Sequence, residues 1–231
     1  MNRNLRTLTA LCLVATAALS LLWTLLAPEF HSDPAEQLAG LAEAGSRATI
    51  SEMAFVISQL PFLVAMSGVA VWLHPASPRL ATAGGVLAVL GAFGHAVVGG
   101  TTTMQVIMAD SPDHRQAYAE LLGDTMDSPL MLPFFAAGLL GTVLGILLLS
   151  IAHFRNRQLP RWVGPALWAF LVLEFVGSNV SEWSAYLAGV LYLAALCALA
   201  VAIRSDLVVT PSEHPPVAED ESVAAQGRGA E

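Results

Sequence analysis

The chain has 231 residues, 55% of them hydrophobic and 12% charged, about half the ~25% charge of a soluble domain. Its formal charge is −8 and its ten basic residues are all arginine, so no lysine can form a Schiff base or reach a nucleotide phosphate. With scattered arginines and a mean hydropathy of +0.64, nucleic-acid binding is excluded and an integral membrane protein remains.

A hydrocarbon core of ~30 Å takes ~20 apolar residues of helix to cross. Six stretches qualify, at about 7–27, 52–73, 80–105, 129–151, 162–178 and 183–203. The runs are long and continuously apolar, without the alternation of barrel strands. The expected fold is therefore all-α: a polytopic bundle of six transmembrane helices over residues 1–204. The first span follows Arg3 and Arg6 and has a secretory signal as its competing reading. It reads instead as an uncleaved helix, because the run is long, Leu25 breaks the small-x-small pattern and Pro28 follows Ala27.

Arginine counting sets the expected orientation. With the N-terminus inside, seven arginines flank the inner ends of the spans, and only Arg47 and Arg115 flank the outer ends. Both termini are then cytoplasmic, and the cell membrane is the expected location. Between the first two spans, Asp33-Pro34-Ala35-Glu36 predicts a short helix running to about Gly45, and Thr49 with Glu52 predicts a capping box opening the second span. In the next outer loop, Ser111-Pro112 predicts another short helix ended by Gly123, and Ser128-Pro129 caps the fourth span. Nine acids, from Glu29 to Asp127, occupy these loops beside His31 and His114. None has the spacing of a metal-ligand pair, so they read as solvated caps rather than a cation site. The cytoplasmic loops, 74–79 and 153–161, are short and basic. From residue 205 to 231 the chain is polar, with six acids against one arginine, and reads as a disordered cytoplasmic tail.

Leucine burial does not drive helices together in lipid, whereas small residues allow close backbone approach. The third span carries Gly84, Ala88, Ala92, Ala96 and Gly100 at four-residue spacing, and the fourth carries Ala137, Gly141 and Gly145. These rows predict packing between the two spans within one chain, with a homodimer face as the competing reading. Cys12 and Cys197 read as small packing residues rather than a disulfide.

Ionisable groups inside a bilayer are costly and mark candidate sites. Two stand out, His95 in the third span and Glu174 in the fifth, both a little outward of mid-span. Gln59 lies slightly further out on the second span, on the stripe of Glu52. His95 points within about 20° of Ala88, and Glu174 shares its stripe with Leu167, Gly177, Ser178 and Ser181. The cytoplasmic half is nearly all apolar, so a cavity open to the outside is expected. An interhelical His–Glu hydrogen bond of purely structural value fits the same residues equally well. His95 is the only histidine within a span, which does not support a haem held by two histidines, and no nucleophile-elbow or zinc-protease motif occurs. No cofactor is expected.

Ser51-Glu52 with Phe55, Leu159-Pro160-Arg161 with Gly164, and the glycine-rich fourth span together resemble an uncharacterised bacterial multi-pass integral membrane family, one of the domain-of-unknown-function families. The resemblance runs from about Asp33 to Arg204 and implies a helical bundle of this length with no assigned activity. It carries over no functional residue.

Three functional readings remain open. The first is a non-enzymatic membrane protein that binds or moves a small molecule or proton through an outward-facing polar pocket, with His95, Glu174, Gln59 and Ser178 as site residues. The second is a structural or regulatory membrane subunit that engages a protein partner through its outer loops or tail. The third is an intramembrane hydrolase with Glu174 as general base.

Overall fold

The computed structural model describes residues 1–126, 128–156, 159–177 and 180–205. The described residues are helical, with no strand among them. Helix α1 covers Arg3–Leu26, α2 Pro34–Ala44, α3 Ser46–Leu73 and α4 Pro78–Ala109. A 3-10 turn, Pro112–His114, leads into α5, Arg115–Met126, followed by α6, Leu132–Arg155, α7, Val163–Phe175, and α8, Glu182–Arg204. Helices α1, α3, α4, α6 and α8 are each long and apolar enough to cross a membrane. Helix α7 has 13 residues, about 20 Å at ~1.5 Å per residue, against the ~30 Å of a bilayer core. It ends at Phe175, short of residue 178 where the apolar stretch closes. The tail expected from residue 205 lies outside the described residues, apart from Ser205 itself.

Local chemistry explains most boundaries. The Asn2 side chain accepts from Leu5 N at 2.8 Å and starts α1. Asp33 Oδ1 accepts from Ala35 N and Glu36 N, both at 2.9 Å, and Pro34 occupies the first position of α2 as expected. The capping box expected at Thr49 does not start α3. Gly45 adopts φ +53°, a left-handed conformation that ends α2 and lets α3 begin one residue later at Ser46. Thr49 is thereby inside α3, and Glu52 sits almost two turns into the helix. Helix α5 runs through Gly123 to Met126 instead of stopping there. At the start of α6, Ser128 Oγ accepts from Leu130 N at 3.3 Å and the helix begins at Leu132. His153, read from sequence as the start of a loop, belongs to the last turn of α6. It is 2% exposed, with its ring 6.3 Å from that of Trp72 and no hydrogen-bond partner at either ring nitrogen.

The six apolar helices close into a ring in which each packs on the next, in the order α1, α3, α4, α6, α7, α8 and back to α1. Helices α2 and α5 pack on each other and on α4 and cap one end of the ring, over a small core that includes Leu38, Leu41, Val106 and Leu122. Residues Asn2 and Ser205 lie at the opposite end. Large apolar side chains face outward, Leu60 at 72% exposure and Val201 at 65%. Gln59, Ser58 and Thr142 are buried inside. That inverted pattern belongs to a polytopic membrane protein whose outer surface is solvated by lipid.

The most extensive interface joins α4 to α6, the pair the small-residue rows predicted. The register differs from the row. Residues four apart drift about 40° per step around a helix, hence about 160° from Gly84 to Gly100. Ala96 and Gly100 therefore turn away and are exposed. The contact follows Gly84, Ala88, Gly91 and Gly94, whose mixed spacing of four and three keeps them on one face. A Cβ on Gly141 would stand 2.6 Å from Gly91 N and 2.7 Å from Leu87 O, and one on Gly145 would stand 2.6 Å from Ala88 N. Backbone meets backbone along this seam, so no rotamer change can relieve added bulk. Gly99 packs instead against α3, beside Val56 and Phe55.

Gly141→Val forces α4 and α6 apart and is expected to cost roughly 1–3 kcal/mol or more. Gly100→Ala, with nothing within 4 Å of the added methyl, is expected to be neutral or to stabilise by up to about 1 kcal/mol. Thermal unfolding of the detergent-solubilised variants reads both; equal losses at the two sites would refute the seam.

Candidate functional site

The ring is filled at the end carrying the termini, where Leu13, Leu73, Leu196 and Ile203 are fully buried. It is hollow toward the α2/α5 end. An inner chamber of about 100 Å³ is walled by all six ring helices. A larger vestibule of about 570 Å³ lies beneath α2 and α5. Trp23, Phe55, His95, Glu174 and Phe175 line both, so the two spaces meet at these side chains.

Three residues singled out from sequence thus share one cavity. His95 projects from α4, and its Nδ1 lies 3.2 Å from Thr142 Oγ1 on α6. The imidazole stacks edge-on to Phe55 with centroids 5.6 Å apart. Gly138 and Gly94 let α6 come close enough for that bond, since a Cβ on Gly138 would meet the His95 ring at 3.0 Å. Glu174 is the penultimate residue of α7 and lines both chambers. Gln59 is buried on α3, where its Nε2 donates to Phe55 O at 3.1 Å and Ser58 Oγ at 3.0 Å. Both amide hydrogens are then committed, and the group Gln59 can offer the chamber is its carbonyl oxygen. Ser178 lies outside the described residues.

Glu52, expected as a cap residue, instead lines the vestibule and receives a hydrogen bond from Thr102 Oγ1 at 2.5 Å. The shift of the α3 start to Ser46 moves this carboxylate from helix end to cavity wall.

Helix α1 supplies what the sequence reading passed over. Thr16, Ser20 and Trp23 face the inner chamber. Their spacing of four and three residues marks one helix face, a signal present in the sequence. Threonine hydroxyls in a hydrophobic helix usually donate to the carbonyl one turn back, which makes them inconspicuous. Thr9 and Thr24 follow that habit, donating to Leu5 O at 2.8 Å and Ser20 O at 3.1 Å. Thr16 does not. It is 1% exposed, its Oγ1 has no hydrogen-bond partner, and it lines the inner chamber.

The rest of the wall is aromatic. Phe170 and Tyr192 stack at 4.4 Å between α7 and α8, and Trp23 tilts against Phe55 at 5.2 Å. The cavity therefore combines apolar surface with a few convergent polar groups, the usual make-up of a small-molecule site. Compared with protein-family models, with curated proteins and with solved structures, the chain matches none.

Two threonines of the cavity wall are expected to respond with opposite sign. Thr16→Val removes a buried hydroxyl that has no partner and is expected to raise stability by about 1 kcal/mol. Thr142→Val deletes the partner of His95 and is expected to lower it by ~0.6 kcal/mol or more, as interhelical bonds in membranes do. Unfolding of the ligand-free protein in detergent measures both, and a loss at Thr16 would show that its hydroxyl is satisfied.

Proposed function

We propose that this chain is a non-enzymatic integral membrane protein, of the bacterial multi-pass family it resembles, that binds or moves a small molecule or proton through the cavity around His95 and Glu174. The observation that carries this reading is the convergence of His95, Glu174 and Gln59, from three helices, on one cavity continuous with the vestibule. A purely structural His–Glu pair needs no such space. In this reading α7 completes a sixth crossing, and the arginine-poor α2/α5 end faces outward from the cell membrane, as the seven-to-two arginine bias indicates. Ligands then enter beneath α2 and α5.

The alternative of a structural subunit makes a different demand on the cavity, which would stay closed to solvent. Ser20 and Thr102 serve as reporters, one in the inner chamber and one in the vestibule. With Cys12 and Cys197 replaced by serine, Ser20→Cys and Thr102→Cys are expected to react with a membrane-impermeant cationic thiol reagent added to intact cells. Leu60→Cys, which faces outward, is expected to stay unlabelled in the bilayer. Reaction only after permeabilisation would reverse the orientation, and no reaction at either reporter would overturn the pocket.

A further inference from the structure

We infer that the cavity is a site for a protonated amine carrying an apolar body, with the ammonium head in the inner chamber and the body in the vestibule. This deepens the proposed function and rests on its pocket. Four observations carry it.

The first is charge. Among the described residues that line the two chambers there are two carboxylates, Glu52 and Glu174, and no arginine, while the whole chain has no lysine. His31 and His95 are the other titratable groups near the carboxylates, with the phenol of Tyr192 deeper in. An anion would find no fixed positive partner there and would share the space with two carboxyl groups.

The second is hydrogen-bonding sense. Several polar groups around the inner chamber can accept a hydrogen bond. Both Nε2 hydrogens of Gln59 are committed to Phe55 O and Ser58 Oγ, which leaves its carbonyl oxygen. The Thr16 hydroxyl is buried and unpartnered. His95 meets Thr142 through Nδ1, and its neutral ring accepts at one nitrogen and donates at the other. The Thr16 oxygen of α1, the Gln59 carbonyl of α3 and the Glu174 carboxylate of α7 line one chamber and suit a group with several N–H donors, which a primary or secondary ammonium supplies.

The third is the rings. Phe55, Phe62, Phe170, Tyr192 and Trp23 line the same chamber, and aromatic faces attract a cation more strongly when water is excluded. The fourth is size. The inner chamber, about 100 Å³, is smaller than the ~150 Å³ cavity that holds benzene, so it admits a small head and no large ring. The vestibule of about 570 Å³ takes the remainder against side chains such as Val98, Phe135 and Leu139.

The test uses three probes with one body and three heads: 4-phenylbutylamine, 4-phenylbutanol and 4-phenylbutyrate. Binding to the full chain in phosphatidylcholine nanodiscs at pH 7 is measured by calorimetry, with empty nanodiscs as the blank. The amine is expected to bind at least about ten-fold more tightly than the alcohol, the scale of one charged hydrogen bond, and the carboxylate least. Glu174→Gln is expected to remove that preference while leaving the alcohol unchanged. Thr16→Val, which alters no charge and is expected to fold, weakens the amine several-fold despite its gain in stability.

Equal binding of amine and alcohol, tighter binding of the carboxylate, or an amine preference that survives Glu174→Gln would overturn the inference. If Ser20→Cys is labelled yet no probe binds, the amine site is wrong and the pocket stands. If Ser20→Cys is never labelled, the pocket itself falls. Phosphatidylethanolamine nanodiscs separate the sources of the ammonium: unchanged affinity supports a free amine, and competitive loss overturns it in favour of a lipid head group.

Discussion

The backbone-to-backbone seam between α4 and α6 is the contact on which the interior depends. Lipid tails are as apolar as leucine, so close van der Waals approach has to hold the ring together. Only where both surfaces lack side chains do two helices come this near. Gly91 and Gly141 meet at mid-seam, and Gly94 and Gly138 meet one turn further toward the α2/α5 end. There α6 is near enough for Thr142 to reach His95. The glycines that bring the helices together thus also fix the orientation of the imidazole in the cavity wall.

The same economy explains why one half of the ring is solid and the other hollow. Toward the termini, leucine and isoleucine side chains from several helices fill the centre. Toward α2 and α5 the inward positions carry aromatic rings and short hydroxyl residues, which leave room between them. Polar atoms in such a space need partners, because no lipid can supply them. Most find one on their own helix: Ser58 and Gln59 return to the Phe55 carbonyl, and Thr24 returns to that of Ser20. The Thr16 hydroxyl, buried in the wall of the inner chamber, has no such partner.

Much of this was legible in the sequence. Long apolar runs announce helices because a bilayer forces backbone groups to bond internally, and five of the expected spans appear as long apolar helices. The Asp33-Pro34 cap was readable because it is a local hydrogen-bonding device that needs no tertiary support. His95 and Glu174 were conspicuous because charge in hydrocarbon is rare. Thr49 misled because a capping box takes effect only where a helix has yet to begin, and the left-handed Gly45 had already begun it. The fifth apolar stretch has the composition of a span, but the helix within it ends at Phe175, a point its hydropathy did not mark.

By itself the sequence determined what depends on composition and on neighbours within a turn or two: an all-helical membrane fold, the pairing of its two glycine-rich helices, and which residues are too polar for lipid. Only the tertiary structure decided the register of that pairing, because a four-residue row drifts around its helix and the true contact follows the supercoil. It alone brought Thr16 of α1 and Glu52 of α3 into the cavity wall with His95 and Glu174. Volume is the reason. A cavity is the space that six helices fail to fill, and no single helix encodes what its five neighbours leave empty.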